Sequence, residues 1–347
     1  MMSVQCGFPG SAKRHPANPA SRDTGEHNPD EYHDLNQRMS FQLPETTKNY
    51  RGEERRVGVE VEFAGIEAAQ AAAAVSAVYG GTVEQANRFL AHVRGTSLGD
   101  FNVELDAQIL HSDAYRDILG KLGIDIAGEE LGERVEEILA KAAAKVVPLE
   151  VCSPPIPLSR LDSIEDLVVE LRTAGALGTA RSPLYAFGLQ FNPEVTSLEP
   201  RYILSILQSF LVQFDDICRD RGIDLTRRLL PFVRSFDDDF RAFVCRPDYV
   251  PTIDALIDDY LRFNATRIRP LDLLPLFAFI DEKTVLGRAA EPTLIKPRPT
   301  FHYRLPDCHI DHPDWTVARE WHWWLRIEEL AAQPARLRAR MAAFAAR

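Results

Sequence analysis

The chain has 347 residues, an apolar fraction of 45%, a charged fraction of 26% and a formal net charge of −11. This composition excludes a mainly disordered chain, a collagen-like one and a disulfide-stapled miniprotein. The acidic balance argues against unspecific nucleic-acid binding, which needs net cationic surface. No apolar run approaches the roughly 20 residues of a membrane span; the longest, 271–280, is broken by Asp272 and Pro275. The first thirty residues hold no apolar stretch of the kind that directs secretion, so the expected location is the cytoplasm. Five cysteines, Cys6, Cys152, Cys218, Cys245 and Cys308, show no CxxC spacing and read as reduced thiols.

Residues 1–48 carry five prolines, three of the nine histidines and little aliphatic periodicity, which predicts a tail ahead of a single domain over 49–347. Residues 56–63 alternate strictly. Val57, Val59, Val61 and Phe63 share one face and Gly58, Glu60 and Glu62 the other, as in a half-buried strand. An alanine-rich helix over 66–79 stops at Gly80-Gly81. A strand over 101–105, a charged amphipathic helix over 129–145 and a strand over 146–151 follow, the last ended by Pro154-Pro155. Next come a helix over 161–173, a strand over 184–195 and a long helix over 201–221, with Ile203, Ile206, Leu207, Phe210 and Phe214 at helical spacing. The stretch from about 196 to 290 is helical and loop-rich, residues 300–305 alternate as a strand, and 315–347 read as C-terminal helix. Strands and helices are interspersed without the Gly-rich turns of a dinucleotide fold, which indicates an α+β protein with a largely antiparallel sheet.

Each strand sets an apolar face against an unusual polar one. The polar faces carry Glu60 and Glu62; Asn102, Glu104 and Asp106; Glu150; Gln190, Asn192 and Glu194; and His302 with Arg304. Acids are depleted in strands because they fit a pleated surface poorly. Any one of these strands alone reads as an ordinary strand with a solvated face. If they are neighbours, the carboxylates converge and repel unless positive charge lies between them. Carboxylate, amide and imidazole ligands without thiolate suit Mg²⁺ or Mn²⁺. Lys296, Arg298 and Arg304 add cations nearby, and acids that hold metal beside basic side chains fit a nucleoside triphosphate.

Other tempting residues read as structure. His309, Asp311 and His312 lie between prolines in a loop and suit capping. Asp237-Asp238-Asp239 is a loop surface. Cys152 is a small buried side chain before Pro154, and Trp321, Trp323 and Trp324 pack the last helix. No P-loop, HExxH or GxSxG occurs.

Arg-Arg-Val-Gly-Val-Glu-Val-Glu-Phe at 55–63, Val-Glu-Leu-Asp at 103–106, Leu-Glu-Val-Cys-Ser-Pro at 149–154, Gly-Leu-Gln-Phe-Asn at 188–192 and Phe-His-Tyr-Arg-Leu-Pro at 301–306 resemble the ordered motifs of the amidoligase family. That family belongs with glutamine synthetase and glutamate–cysteine ligase among the carboxylate–amine ligases. The resemblance covers roughly residues 40–330. It implies a curved antiparallel sheet of the glutamine-synthetase type, with helices on its back and a helical insert. It also implies ATP-dependent formation of an amide or isopeptide bond through an acyl phosphate, with two or three Mg²⁺ or Mn²⁺ ions. The substrates would be a small-molecule or peptide carboxylate and an amine; the sequence names neither, nor the oligomeric state. Carried over by position, Glu60, Glu62, Glu104 or Asp106, and Glu150 would hold metal. Gln190 and Asn192 fall where relatives often have a His-x-His pair that contacts metal or nucleotide. Arg304 would steady the transferring phosphoryl group; the residue pattern itself adds Lys296 and Arg298 as nucleotide-facing cations, with Arg298 also handling phosphate. His302 stands in the place of a carboxylate ligand, and Asp106-Ala107-Gln108 in that of Asp-Gly-Ser. These departures retune the metals or leave a non-catalytic nucleotide-binding module; a metal-dependent hydrolase is a further alternative.

Overall fold

The computed structural model describes residues 41–105, 149–179, 187–221 and 235–345, and all of them fall in one unit, Met39–Arg347. Residues 1–40, the helix expected over 129–145 and Asp106 with its neighbours lie outside the described residues.

The alternating stretch forms strand β1, Arg56–Phe63, with Val57, Val59, Val61 and Phe63 fully buried. It sits near the middle of a sheet that has nine strands among the described residues, of order β2-β3-β4-β5-β1-β7-β9-β8, with the short β6, Ile156–Pro157, also on β1. The others are β2 Thr82–Asn87, β3 Leu90–Thr96, β4 Gly99–Leu105, β5 Leu149–Cys152, β7 Leu189–Pro193, β8 Leu271–Asp272 and β9 His302–Tyr303. Every strand pairing among the described residues is antiparallel.

The β2–β3 hairpin is absent from the sequence reading, and its pattern explains why. All six residues of β2 are exposed, so this edge strand has no apolar face to alternate against a polar one. Gly81 makes the entry possible. Its φ is +90°, and a Cβ there would lie 2.6 Å from the Arg94 carbonyl oxygen. The strand expected over 300–305 shrinks to His302–Tyr303, with single bridges Glu194↔Thr300 and Gly188↔Asp307 on either side.

The helices are α1 Ala68–Tyr79, α2 Ile164–Ala174, α3 Pro200–Arg221, α4 Asp238–Val244, α5 Ile253–Phe263, α6 Leu274–Ile280, α7 Glu282–Arg288, α8 Val317–Ala331 and α9 Pro334–Ala345. The single helix expected over 315–347 is two, because Pro334 has no amide to continue α8 and instead opens α9. On the apolar side of the sheet, Tyr79 of α1 stacks on Phe101 of β4 at 5.0 Å. Trp321 of α8 meets Phe191 of β7 at 5.4 Å, and Trp324 meets Tyr303 of β9 at 5.5 Å. Two of the three tryptophans therefore pack the C-terminal helix on the body; Trp323 is half-buried beside Arg326. No helix among the described residues is long and apolar enough to cross a membrane.

Arg55 fastens three remote segments. Its side chain is fully buried and donates to both Glu328 oxygens at 2.5 and 3.0 Å, to the Thr46 carbonyl and to the Glu194 carbonyl. Trp324 Nε1 donates to the same Glu328 carboxylate, and Trp321 Nε1 to the Gln42 carbonyl. Residues 42–48, which the sequence groups with the tail, are thereby joined to the body.

Candidate active site

The pleat sends Glu60 and Glu62 away from the buried valines of β1, and the register then decides which polar groups meet. Glu150 of β5 lies opposite Glu62 of β1 on one side and Glu104 of β4 on the other. Three carboxylates thus stand in a row across adjacent strands. Beside them runs a second row, in which Cys152 faces Asn102 and Glu60, and Glu60 faces Gln190 of β7. The adjacency that the sequence argument required is present. Like charges placed directly opposite repel, and a divalent cation relieves this.

The ligand atoms of Glu104, Glu150 and Cys152 lie within 4.8 Å of one another. Cys152 is therefore not the buried filler that its sequence context suggests. It is half-buried, on the polar face, with Sγ 3.9 Å from Glu104 Oε1. Oxygen ligands of this kind fit Mg²⁺ or Mn²⁺, and the thiol shifts preference toward the softer ion.

The amides and the imidazole form one hydrogen-bonded set. Nη2 of Arg298 and Nη2 of Arg304 lie 3.0 and 3.3 Å from His302 Nδ1. A guanidinium only donates, so Nδ1 accepts and Nε2 carries the hydrogen. Nε2 then donates to Gln190 Oε1 at 2.6 Å, and Gln190 Nε2 donates to Glu62 Oε1 at 2.5 Å. The Gly188 amide donates to the other Glu62 oxygen at 2.6 Å. A parallel arm runs from Arg298 to Asn192 Oδ1 at 2.8 Å and from Asn192 Nδ2 to Glu60 Oε1 at 2.9 Å. Burial, helped by Arg304, Arg298 and Arg267, pushes proton binding by His302 well below its usual range, in accord with a neutral ring. Gln190, Asn192 and His302 are three of the positions at which the sequence reading expected a departure from the family pattern. Here they are bonded to one another through Arg298 and to the two acids of β1.

The cationic end is richer than the sequence suggested. Asp272, fully buried on β8, lies 3.9 Å from both Arg304 and Arg267, while its other oxygen accepts the Leu274 amide at 2.9 Å. Burial raises the proton affinity of Asp272, and Arg304, Arg267 and Arg298 oppose that. Asp272 has a visible signal in the sequence, a carboxylate interrupting an otherwise apolar run. Arg267 sits in an irregular loop and had none. Lys296 is exposed and makes no hydrogen bond or ion pair with this group among the described residues. Glu194 leaves the polar face at the strand end, where it accepts from the Arg56 amide and the Asn49 side chain. Asp311 accepts the Gly178 amide and His312 the Asp314 amide, the local roles expected of that loop.

Fold and site together define a mixed α/β protein whose antiparallel sheet carries, opposite its buried valines, a row of carboxylates that runs into a group of arginines. A family model described as "Putative amidoligase enzyme" matches residues 53–326, and the chain belongs to that family. No curated protein and no solved structure matches it. Membership makes it a ligase-type enzyme at that coarse level.

Proposed function

We propose that the protein is an ATP-dependent carboxylate–amine ligase of glutamine-synthetase type. The observation that supports this most is the polarity of one sheet face: Glu104, Glu150 and Glu62 in cross-strand register at one end, Arg298, Arg304 and Arg267 at the other. Glu104, Glu150 and Glu62, with Cys152 at the margin, would hold Mg²⁺ or Mn²⁺, which supplies charge neutralisation at the phosphate oxygens. Glu60 and Glu62 are held in place by Asn192 and Gln190. His302 has both ring nitrogens committed, so it fixes the tautomeric sense of that set rather than ligating an ion.

A carboxylate oxygen of the acid substrate attacks the γ-phosphorus of ATP; the bond from that phosphorus to the bridging oxygen breaks and ADP leaves. The amine nitrogen then attacks the acyl carbon. Phosphate departs with the electrons of the C–O bond, the nitrogen loses a proton, and an amide remains. Arg304 offsets the charge on the transferred group. The test is calorimetric titration of ATP with and without Mg²⁺ or Mn²⁺, on wild type and Glu150→Gln. Metal-dependent binding lost in the variant supports the reading; absence of binding with either metal sinks it. Binding without ADP release across a panel of acids and amines would favour a non-catalytic nucleotide module, the reading suggested by the self-contained bonding of Gln190, Asn192 and His302.

A further inference from the structure

Cys152 sits where a small sulfur side chain has no packing reason to be. Cys218, Cys245 and Cys308 are buried, as free cysteines usually are, whereas Cys152 is half-buried. The pleat of β5 puts it on the same face as Glu150, and the register sets it opposite Asn102 on one side and Glu60 on the other. Its Sγ and the carboxylate oxygens of Glu104 and Glu150 lie within 4.8 Å of one another. All three side chains are half-buried, so an ion can reach them from solvent.

The spacing discriminates between ions. A sulfur at about 2.3 Å and an oxygen at about 2.1 Å from one tetrahedral ion stand about 3.6 Å apart. The same two bonds at the right angle of an octahedral ion bring them to about 3.1 Å. Sγ and Glu104 Oε1 are 3.9 Å apart, nearer the tetrahedral value. Sulfur also favours softer ions than Mg²⁺, whose ligands are oxygens.

We propose that Cys152 is a sulfur ligand of an ion held with Glu104 and Glu150, so that this place takes a tetrahedral, thiophilic cation of the Zn²⁺ and Co²⁺ class in preference to Mg²⁺. On binding, the S–H bond breaks, its proton passes to solvent and the sulfur lone pair bonds to the metal, with no change of oxidation state. That Zn²⁺ here would displace a catalytic Mg²⁺ and inhibit rests on the ligase reading; the sulfur ligand does not.

The experiment titrates Co²⁺ into the full-length protein and follows the thiolate-to-cobalt charge-transfer band. Wild type, Cys152→Ser, Cys152→Ala and Glu150→Gln are compared after near-ultraviolet circular dichroism confirms their fold. Wild type should develop the band at about one equivalent, both Cys152 variants should lack it, and Glu150→Gln should need about tenfold more Co²⁺. An equivalent of Zn²⁺ should abolish the band, and about a hundredfold excess of Mg²⁺ should leave it. Should Cys152→Ala fail to fold, Cys152→Ser decides, since a hydroxyl replaces the thiol at nearly the same size and gives no such band. Absence of the band in wild type, its persistence in the deciding variant, undiminished affinity in Glu150→Gln or displacement of Co²⁺ by Mg²⁺ overturns the proposal. A Cys152-dependent band in a protein that binds no Mg-ATP would sink the ATP reading and leave this one standing; Mg-ATP binding without the band would do the reverse.

Discussion

The hydrogen-bonded set around Glu62 has a direction, and that direction makes Glu62→Gln a sharp perturbation. Arg298 and Arg304 fix His302 Nδ1 as acceptor, His302 Nε2–H fixes Gln190 Oε1 as acceptor, and Gln190 Nε2 therefore points a hydrogen at Glu62. The Gly188 amide points another at the second Glu62 oxygen. An amide at position 62 has one oxygen and one NH₂, so a donor must meet a donor somewhere. Turning Gln190 over only moves the conflict to His302, whose tautomer the arginines forbid. The position is 5% exposed, so water offers little relief. A buried donor left without an acceptor costs about 1–3 kcal/mol, and that is the expected loss of unfolding free energy for Glu62→Gln in urea titration. The double replacement Glu62→Gln with Gln190→Glu restores the match: glutamine 62 accepts from Gly188 and donates to the new carboxylate, which also accepts from His302. It should recover more than half of the loss, while Gln190→Glu alone sets two carboxylates face to face and is destabilising. A Glu62→Gln loss under about 0.5 kcal/mol, or a double variant no better than the sum of the singles, would refute the assigned directions.

Arg55→Ala leaves Glu328 partly buried without its cation and should cost about 3–5 kcal/mol by chemical denaturation; a loss below about 1 kcal/mol would show that the pair contributes little. His302 stays neutral in the folded chain, whereas an unfolded histidine takes a proton near pH 6.5. The unfolded state then binds more protons, so stability should fall as pH drops below that value, by up to about 1.4 kcal/mol per pH unit from this group. Replacing His302 with Gln should flatten that part of the pH–stability curve, and an unchanged slope would assign it elsewhere. Cys152 lies beside Glu104, so Mn²⁺ should slow its alkylation as followed by peptide mass spectrometry. Equal rates with and without metal would place the ion elsewhere.

Much of the fold was legible because β1 alternates without exception and because α3 buries Ile203, Ile206, Leu207, Phe210 and Phe214 at helical spacing. The polar face was legible for the same reason: period two tells which side chains leave the core together. What period two cannot tell is register, and register turned three separate glutamates into one row. The β2 edge strand and the Pro334 break were missed for local reasons, a lack of apolar side chains in the one and a continuing alanine-rich pattern across the other. Arg267 and Asp272 were missed because their partnership with Arg304 joins a loop, a two-residue strand and a segment past residue 300, and no sequence periodicity spans those.

The Arg55–Glu328 clasp joins residues 273 positions apart. During synthesis the first strand of the sheet therefore emerges with a cation that must be buried and no anion yet made to meet it. Trp321, Trp324 and Glu328 are made only after every described strand of the sheet. Until then the rings of Phe191 and Tyr303 lack the tryptophans that pack on them. Such late closure favours slow, all-at-once maturation over stepwise N-to-C folding, and it makes α8 the element whose arrival commits the domain.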